Sequence, residues 1–217
     1  MFIVNKKSNS LSAEAYRSIK TNLEYSSVDK KLKTLVVTSS EPGEGKSTVC
    51  GNLAYVLSQG GKKVLVIDAD LRKPTLHKRF KVDNEIGLTD LLIGKANNKK
   101  FINKITDDIN LITSGQKTPN PAEMVSSEAM ERLLEEYKEQ YDYVIIDTPP
   151  VLTINDGRVL ATKCDGTIFV IKAGQSKKHN ILNAYRELEI VKANVVGSVL
   201  NGVDNSINGY YYYYYES

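Results

Sequence analysis

The sequence predicts an α/β protein with a mostly parallel central sheet and helices on both of its faces. Two observations carry that expectation: short β-branched runs alternate with segments of helical period along the 217 residues, and no linker or internal repeat interrupts them. A third is compositional. At 41% hydrophobic, with 29 Lys+Arg against 26 Asp+Glu, the chain can bury a core of its own and is neither disordered nor collagen-like. Its 13 tyrosines stand beside 4 Phe and no Trp, and six of them form one run near the C-terminus.

Residues 12–27 read as an amphipathic helix, with Ala15, Ile19 and Leu23 four apart on one side and Glu14, Arg17 and Lys20 three apart on another. Residues 34–38 form a short β-branched strand. Gly43 and Gly45 break it, and a helix over about 46–59 is stopped by Gly60 and Gly61. Residues 63–67 are a second strand, ending on Asp68; from 71 to 126 the pattern is short helices and loops around a strand at 110–113. A strong helix then carries Met130, Leu133, Leu134, Tyr137 and Tyr141 on one face, and residues 143–146 are a strand ending on Asp147. A strand near 167–171, a helix near 180–193 and a strand near 195–200 complete a domain spanning 1–203, with 204–217 as a tail.

The formal charge of +3 is small and evenly spread, which argues against nucleic acid as a partner. Cys50, Cys164, His77 and His179 lie far apart in no ligand-like spacing, so neither a zinc site nor a disulfide framework is expected, and a reducing cytoplasm suits the chain. Neither a signal peptide nor a stretch of ~18 apolar residues is visible, so any membrane association is expected to come through a partner.

Three strand ends carry chemistry. Between the first strand and its helix lies Ser39-Ser40-Glu41-Pro42-Gly43-Glu44-Gly45-Lys46-Ser47-Thr48. Glycines let backbone N–H groups converge on phosphate oxygens, the helix N-terminus adds partial positive charge, Lys46 can reach β- and γ-phosphates, and the Ser47 hydroxyl can ligate Mg²⁺. Ser40 stands where the usual G-x-x-x-x-G-K-[ST] pattern has its first glycine. The second strand delivers Asp68-Ala69-Asp70-Leu71-Arg72, two carboxylates at the sheet end that faces the ligand crevice, where one can hold Mg²⁺ and the other address a nucleophile. The third is Asp147-Thr148-Pro149-Pro150, an aspartate placed for the acidic residue behind Mg²⁺ in phosphate-loop enzymes.

Together these residues resemble the deviant-Walker P-loop ATPases, and most closely the bacterial tyrosine kinases (BY-kinases) of capsule and exopolysaccharide systems, over nearly the whole chain. The resemblance implies the P-loop NTPase fold, with ATP and Mg²⁺ as cofactors; Gly43 to Thr48 around the ATP phosphates; Lys46 and Ser47 in Walker A, Asp68 and Asp70 in Walker A′, and Asp147 in Walker B. It also implies a ring of subunits built through a helix bearing E-x-x-R-x-x-R, matched by Glu14, Arg17 and Lys20 with Lys in the last place. Further implications are a C-terminal tyrosine cluster that is autophosphorylated, a membrane-protein activator whose cytoplasmic segment recruits the kinase to the inner face of the membrane, a cognate tyrosine phosphatase, and a role in polysaccharide synthesis and export. Asn201, at the end of the last strand, is by analogy an adenine contact or else a turn residue.

The competing reading is a switch ATPase of the cell-division or plasmid-partition type. Those proteins carry a lysine early in the loop, where this chain has Glu41, and an acidic side chain cannot clamp phosphate. Arg72 and the pair Pro149-Pro150 also look like the kinase group. Tyr210, Tyr211, Tyr212, Tyr213, Tyr214 and Tyr215 match neither the helical nor the strand period, so no fold buries them all on one face. The lead-in from Asp204 to Gly209 reads as a flexible tether, and from Gly202 to Tyr215 the chain can reach roughly 45 Å at ~3.3 Å per residue. The expected mechanism has Lys46 and the loop amides on the ATP phosphates, Ser47 and Asp70 on Mg²⁺ with Asp147 behind them, and Asp68 receiving the proton of a tyrosine from an adjacent subunit.

Overall fold

The computed structural model describes residues 2–26, 31–95 and 101–203. In chain order its elements are α1 (Ile3–Lys6), α2 (Leu11–Ser26), β1 (Thr34–Ser39), α3 (Lys46–Ser58), β2 (Val64–Asp68), α4 (Leu76–Phe80), α5 (Leu88–Leu92), β3 (Ile102–Lys104), β4 (Ile109–Ile112), α6 (Pro121–Ser126), α7 (Glu128–Gln140), β5 (Tyr143–Asp147), α8 (Asp156–Lys163), β6 (Gly166–Lys172), α9 (Lys178–Ile190) and β7 (Val195–Asn201). The strands form a single sheet in the order β3-β4-β2-β5-β1-β6-β7. All neighbours pair in parallel except β3 with β4.

Period two along the inner strands divides the interior into two cores. Leu35 and Val37 of β1, with Val64 and Val66 of β2, face a core closed by Ala13, Tyr16 and Leu23 of α2 and Val49, Leu53 and Leu57 of α3. Val36, Leu65 and Ile67 face the opposite core, closed by Met130, Leu133, Leu134 and Tyr137 of α7 with Leu160 of α8 and Leu188 of α9. Both faces of β1 and β2 are fully buried, which explains why residues 35–37 and 64–67 read as unbroken apolar runs. Each such side chain contributes about 1.5–3 kcal/mol on burial. At the foot of β1 the Asp165 carboxylate accepts from the N–H groups of Lys33 and Thr34 at 3.0 and 2.9 Å and from Lys138 Nζ at 2.7 Å.

The expected elements appear within one to three residues of their predicted ends. Three features differ, the first being the four-residue α1, ahead of the first expected helix. β3 is an antiparallel edge strand where only loops and short helices were expected; its three residues, Ile102, Asn103 and Lys104, carry one apolar side chain, and what makes them a strand is pairing with β4. Helix α8 falls in a stretch with no predicted element, its eight residues offering little period. A Cβ on its Gly157 would come within 2.8 Å of the Pro149 carbonyl oxygen, so glycine is what lets this helix lie against the loop after β5. Residue 27, at the end of the expected first helix, and the tail 204–217 with Tyr210 to Tyr215 lie outside the described residues.

Candidate active site

Parallel pairing puts the loops after β1, β2 and β5 at one end of the sheet. Val37 pairs with Asp147 across β1 and β5, and Asp68 pairs with Asp147 across β2 and β5, so the phosphate loop and the two strand-end aspartates converge.

In the loop after β1, Gly43 and Gly45 hold φ of +83° and +101°, left-handed backbone that glycine enters at little cost. Gly45 precedes α3, and no side chain caps that helix, so its first-turn N–H groups remain donors at the positive end of the helix dipole. The Glu44 side chain is 1% exposed. Its carboxylate accepts from the Ser40 hydroxyl at 2.8 and 3.0 Å, from the Glu41 N–H at 2.9 Å, and from the Ser176 hydroxyl. Glu44 therefore fixes the shape of the loop from below while leaving its backbone available. Asn201, expected as an adenine contact or a turn residue, donates from Nδ2 to the Glu44 carbonyl at 3.0 Å.

A cavity of about 330 Å³ lies over this loop, and Gly43, Gly45, Lys46, Ser47, Asp70, Arg72, Lys73, Thr75, Arg79, Pro149 and Pro150 line it. Asp68 and Asp147 lie behind that lining, 0% and 1% exposed. Asp68 Oδ2 accepts from the N–H groups of Thr75 at 3.1 Å and Leu76 at 2.9 Å, while its Oδ1, like Asp147 Oδ1, meets no donor among the described residues. Burial first, and then the charge of Asp147, holds the Asp68 carboxyl well above the usual carboxylate range. Burial also pushes Asp147 up to about 6, although the Ser47 hydroxyl and the Lys46 ammonium pull it back. The adjacent Cys50 thiol is buried and faces Asp147, and both raise its pKa well above normal, so it stays a protonated, unreactive thiol.

Two buried carboxylates side by side, each with an unmet oxygen, fit a hydrated divalent cation. Ser47 and Asp70 in the cavity would hold Mg²⁺, with Asp147 behind. Among the described residues no three His, Cys, Asp or Glu form a metal-holding group. The Ser47 Oγ now accepts from the Thr75 hydroxyl at 2.7 Å.

Several contributors were not foreseen. Thr75 links α4 to both Ser47 and Asp68, and no local pattern marks it. Arg72 was singled out, but its partner Asp156 lies 84 residues away; Arg72 Nε meets the buried Asp156 carboxylate at 3.1 Å and fixes the cavity wall. Thr48 sits in the first turn of α3 and does not line the cavity. Glu14, Arg17 and Lys20 are not brought to this site: Arg17 pairs with Glu14 at 2.7 Å and donates to the Ser8 carbonyl, and Lys20 donates to the Gln59 carbonyl at 3.0 Å.

Known proteins share this fold and much of this sequence. An AAA domain model matches residues 32–197. The tyrosine-protein kinase YwqD of Bacillus subtilis (strain 168) is 43% identical over 206 residues, covering 94% of this chain and 87% of that protein. The kinase domain of the Escherichia coli tyrosine kinase ETK superposes with a TM-score of 0.90 at 34% identity, over 94% of this chain and 80% of that one. The Pyrococcus furiosus cell division ATPase MinD, at 24% identity and a TM-score of 0.66 over 77% of this chain and 71% of its own, shares the fold alone.

Proposed function

We propose, for a chain that belongs to the bacterial tyrosine-protein kinases and is a protein-tyrosine kinase, that its site passes the γ-phosphoryl group of ATP to Tyr210 to Tyr215 of a second copy. The observation that carries this is the convergence of Lys46, Ser47 and Asp70 in one cavity, with Asp68 and Asp147 directly behind it. Phosphoryl transfer has a loose transition state, so the chain's work is positioning and charge stabilisation. Gly43, Gly45, Lys46 and the first-turn amides of α3 bind the β- and γ-phosphates. Bound at Ser47 and Asp70, Mg²⁺ would neutralise charge on those phosphate oxygens.

The bond from γ-phosphorus to the bridging oxygen breaks, leaving ADP, and a bond from the tyrosine oxygen to phosphorus forms. Asp68 takes the phenolic proton and returns it to solvent. A tyrosine near pKa 10 is far weaker an acid than an ordinary carboxyl near 3.9, so the proton leaves as the new bond forms. Its raised proton affinity and unmet Oδ1 support Asp68 in that role. Because Thr75 and Leu76 cover it, the proton reaches Asp68 through one water or after that turn shifts.

Family membership supports a wider setting: assembly through Glu14, Arg17 and Lys20 into a ring, recruitment by the cytoplasmic segment of a membrane activator, reversal by a tyrosine phosphatase, and control of polysaccharide synthesis and export. Each phosphate adds roughly −1.5 to −2 to a tail of a chain whose formal charge is +3, so tails crowded in a ring come to repel one another. Intact mass before and after Mg²⁺-ATP tests the central reading. Steps of about +80 Da per phosphoryl group are expected; ATP consumed without such steps favours a switch ATPase instead.

A further inference from the structure

Beside the catalytic cavity runs a second, larger groove of about 710 Å³, within the range of specific ligand sites. The two share Arg72, Lys73 and Thr75 as a common wall. The groove's far side is set by the loop after β4, and Asn84 ties it down: Nδ2 donates to the Gly115 carbonyl at 2.9 Å, and Oδ1 accepts from the Gly115 N–H and the Ser114 hydroxyl, each at 3.2 Å. Its walls are therefore fixed by hydrogen bonds across about thirty residues of sequence.

The groove is cationic: Arg72 is held by Asp156, and its lysines are uncommitted. Lys73, Lys78 and Lys117 form no ion pair among the described residues. Of the two carboxylates present, Asp83 accepts from the N–H groups of Asn84 and Glu85. His77 Nδ1 is buried there and meets no hydrogen-bond partner among the described residues. A surface that places unpaired ammonium groups around a concave site favours a dianion over a neutral phenol. Chemistry in the adjoining cavity makes that conversion.

We propose that this groove is a phosphotyrosine subsite, holding one phosphorylated tyrosine of an acceptor segment while a neighbouring tyrosine enters the catalytic cavity. The proposal rests on the kinase reading. It adds a substrate class: acceptors with several tyrosines close together, of which residues 210–215 are one. Retention by the groove makes each later transfer effectively intramolecular, so phosphates accumulate on chains already carrying one.

Two measurements on the full-length, unphosphorylated chain test it. The first follows binding of a labelled hexatyrosine peptide with one phosphotyrosine, and of the same peptide without phosphate, with ADP and Mg²⁺ present throughout. The phosphopeptide should bind about tenfold more tightly, and the Lys78→Ala/Lys117→Ala double variant should bring the two within about threefold. Equal binding of both peptides, or a preference the variant retains, overturns the proposal; displacement by inorganic phosphate as effective as by the peptide reduces it to a simple anion site and overturns it as well. The second follows intact mass over time. The variant should gain its first phosphate at the wild-type rate but lag at later ones, and an unchanged distribution of phosphoforms would count against the subsite. Absence of any phosphorylation in the wild type would instead sink the kinase reading, while the peptide experiment would still report on the groove.

Discussion

The Ser40 hydroxyl lies 2.8 and 3.0 Å from the two carboxylate oxygens of Glu44, closing the phosphate loop from beneath. Ser40 stands where most such loops carry glycine, and the contact gives the substitution a reason: a hydroxyl supplies a donor to a carboxylate that is 1% exposed. Glu44→Ala should leave the Ser40 and Ser176 hydroxyls and the Glu41 N–H without their acceptor, at a cost of about 2–4 kcal/mol. Thermal unfolding checks the stability loss, and a KM for ATP raised at least about tenfold with kcat less affected checks the loop. Ser40→Gly should cost no more than about 1 kcal/mol.

Lys46→Met should abolish ATP-dependent tyrosine labelling while the melting temperature stays within a few degrees of wild type. Lys46 is 8% exposed and lies close enough to Asp147 to lower that group's pKa, so its removal takes the proposed phosphate ligand and leaves the aspartate pair less compensated. Labelling that persists would move the phosphate site elsewhere.

Gly45→Ala should disable the loop, and removing the clash should not restore it. An added Cβ would meet Asn201 Nδ2 at 2.0 Å, which Asn201→Ala relieves. The backbone at φ +101° remains strained in the double variant. Nucleotide affinity in Gly45→Ala, Asn201→Ala and the pair separates the two effects: recovery in the pair would assign the defect to the clash alone.

Deleting residues 210–217 should remove most self-labelling but spare phosphoryl transfer to an added tyrosine peptide. Phosphate counting by mass is the check. If labelling survives, the acceptors lie elsewhere, such as the exposed Tyr25, 75% accessible, rather than Tyr16 at 8%.

Acid should weaken the fold in part through Asp165. Burial raises this carboxyl, but Lys138 and the amides of Thr34 and Lys33 outweigh it, so its folded pKa falls below the ordinary 3.8. A depressed carboxyl stabilises fully above its unfolded pKa, and that contribution is lost as pH falls through the folded value. Lys138 is raised in turn, chiefly by Asp165, so its share is complete below its ordinary 10.5 and is lost as pH rises through the higher folded value. Asp165→Asn should lower stability by about 1–3 kcal/mol at pH 7, with the gap to wild type narrowing below pH 4; a gap that stays constant would assign the effect to packing.

The amino-acid sequence suffices for the strands that close the two cores, because their alternation of two buried faces is written in consecutive residues from 34 to 37 and 64 to 67. It also suffices for the glycine-lysine loop pattern and for Asp68, Asp70 and Asp147 as candidates, since glycine conformation, helix N-terminus and carboxylate position are local properties. What it could not carry were relationships made by pairing and packing. β3 exists because β4 offers it an edge, α8 because Gly157 fits under the Pro149 carbonyl, and Glu44 turns inward because Ser40, four residues away, and Ser176, far along the chain, meet it there. Tertiary structure alone set Asp68 and Asp147 behind the cavity and Asp70 within it. Alternation along a strand says which face a side chain takes, but how deep the strand end lies is decided by the turn at Thr75 and Leu76 that folds over it.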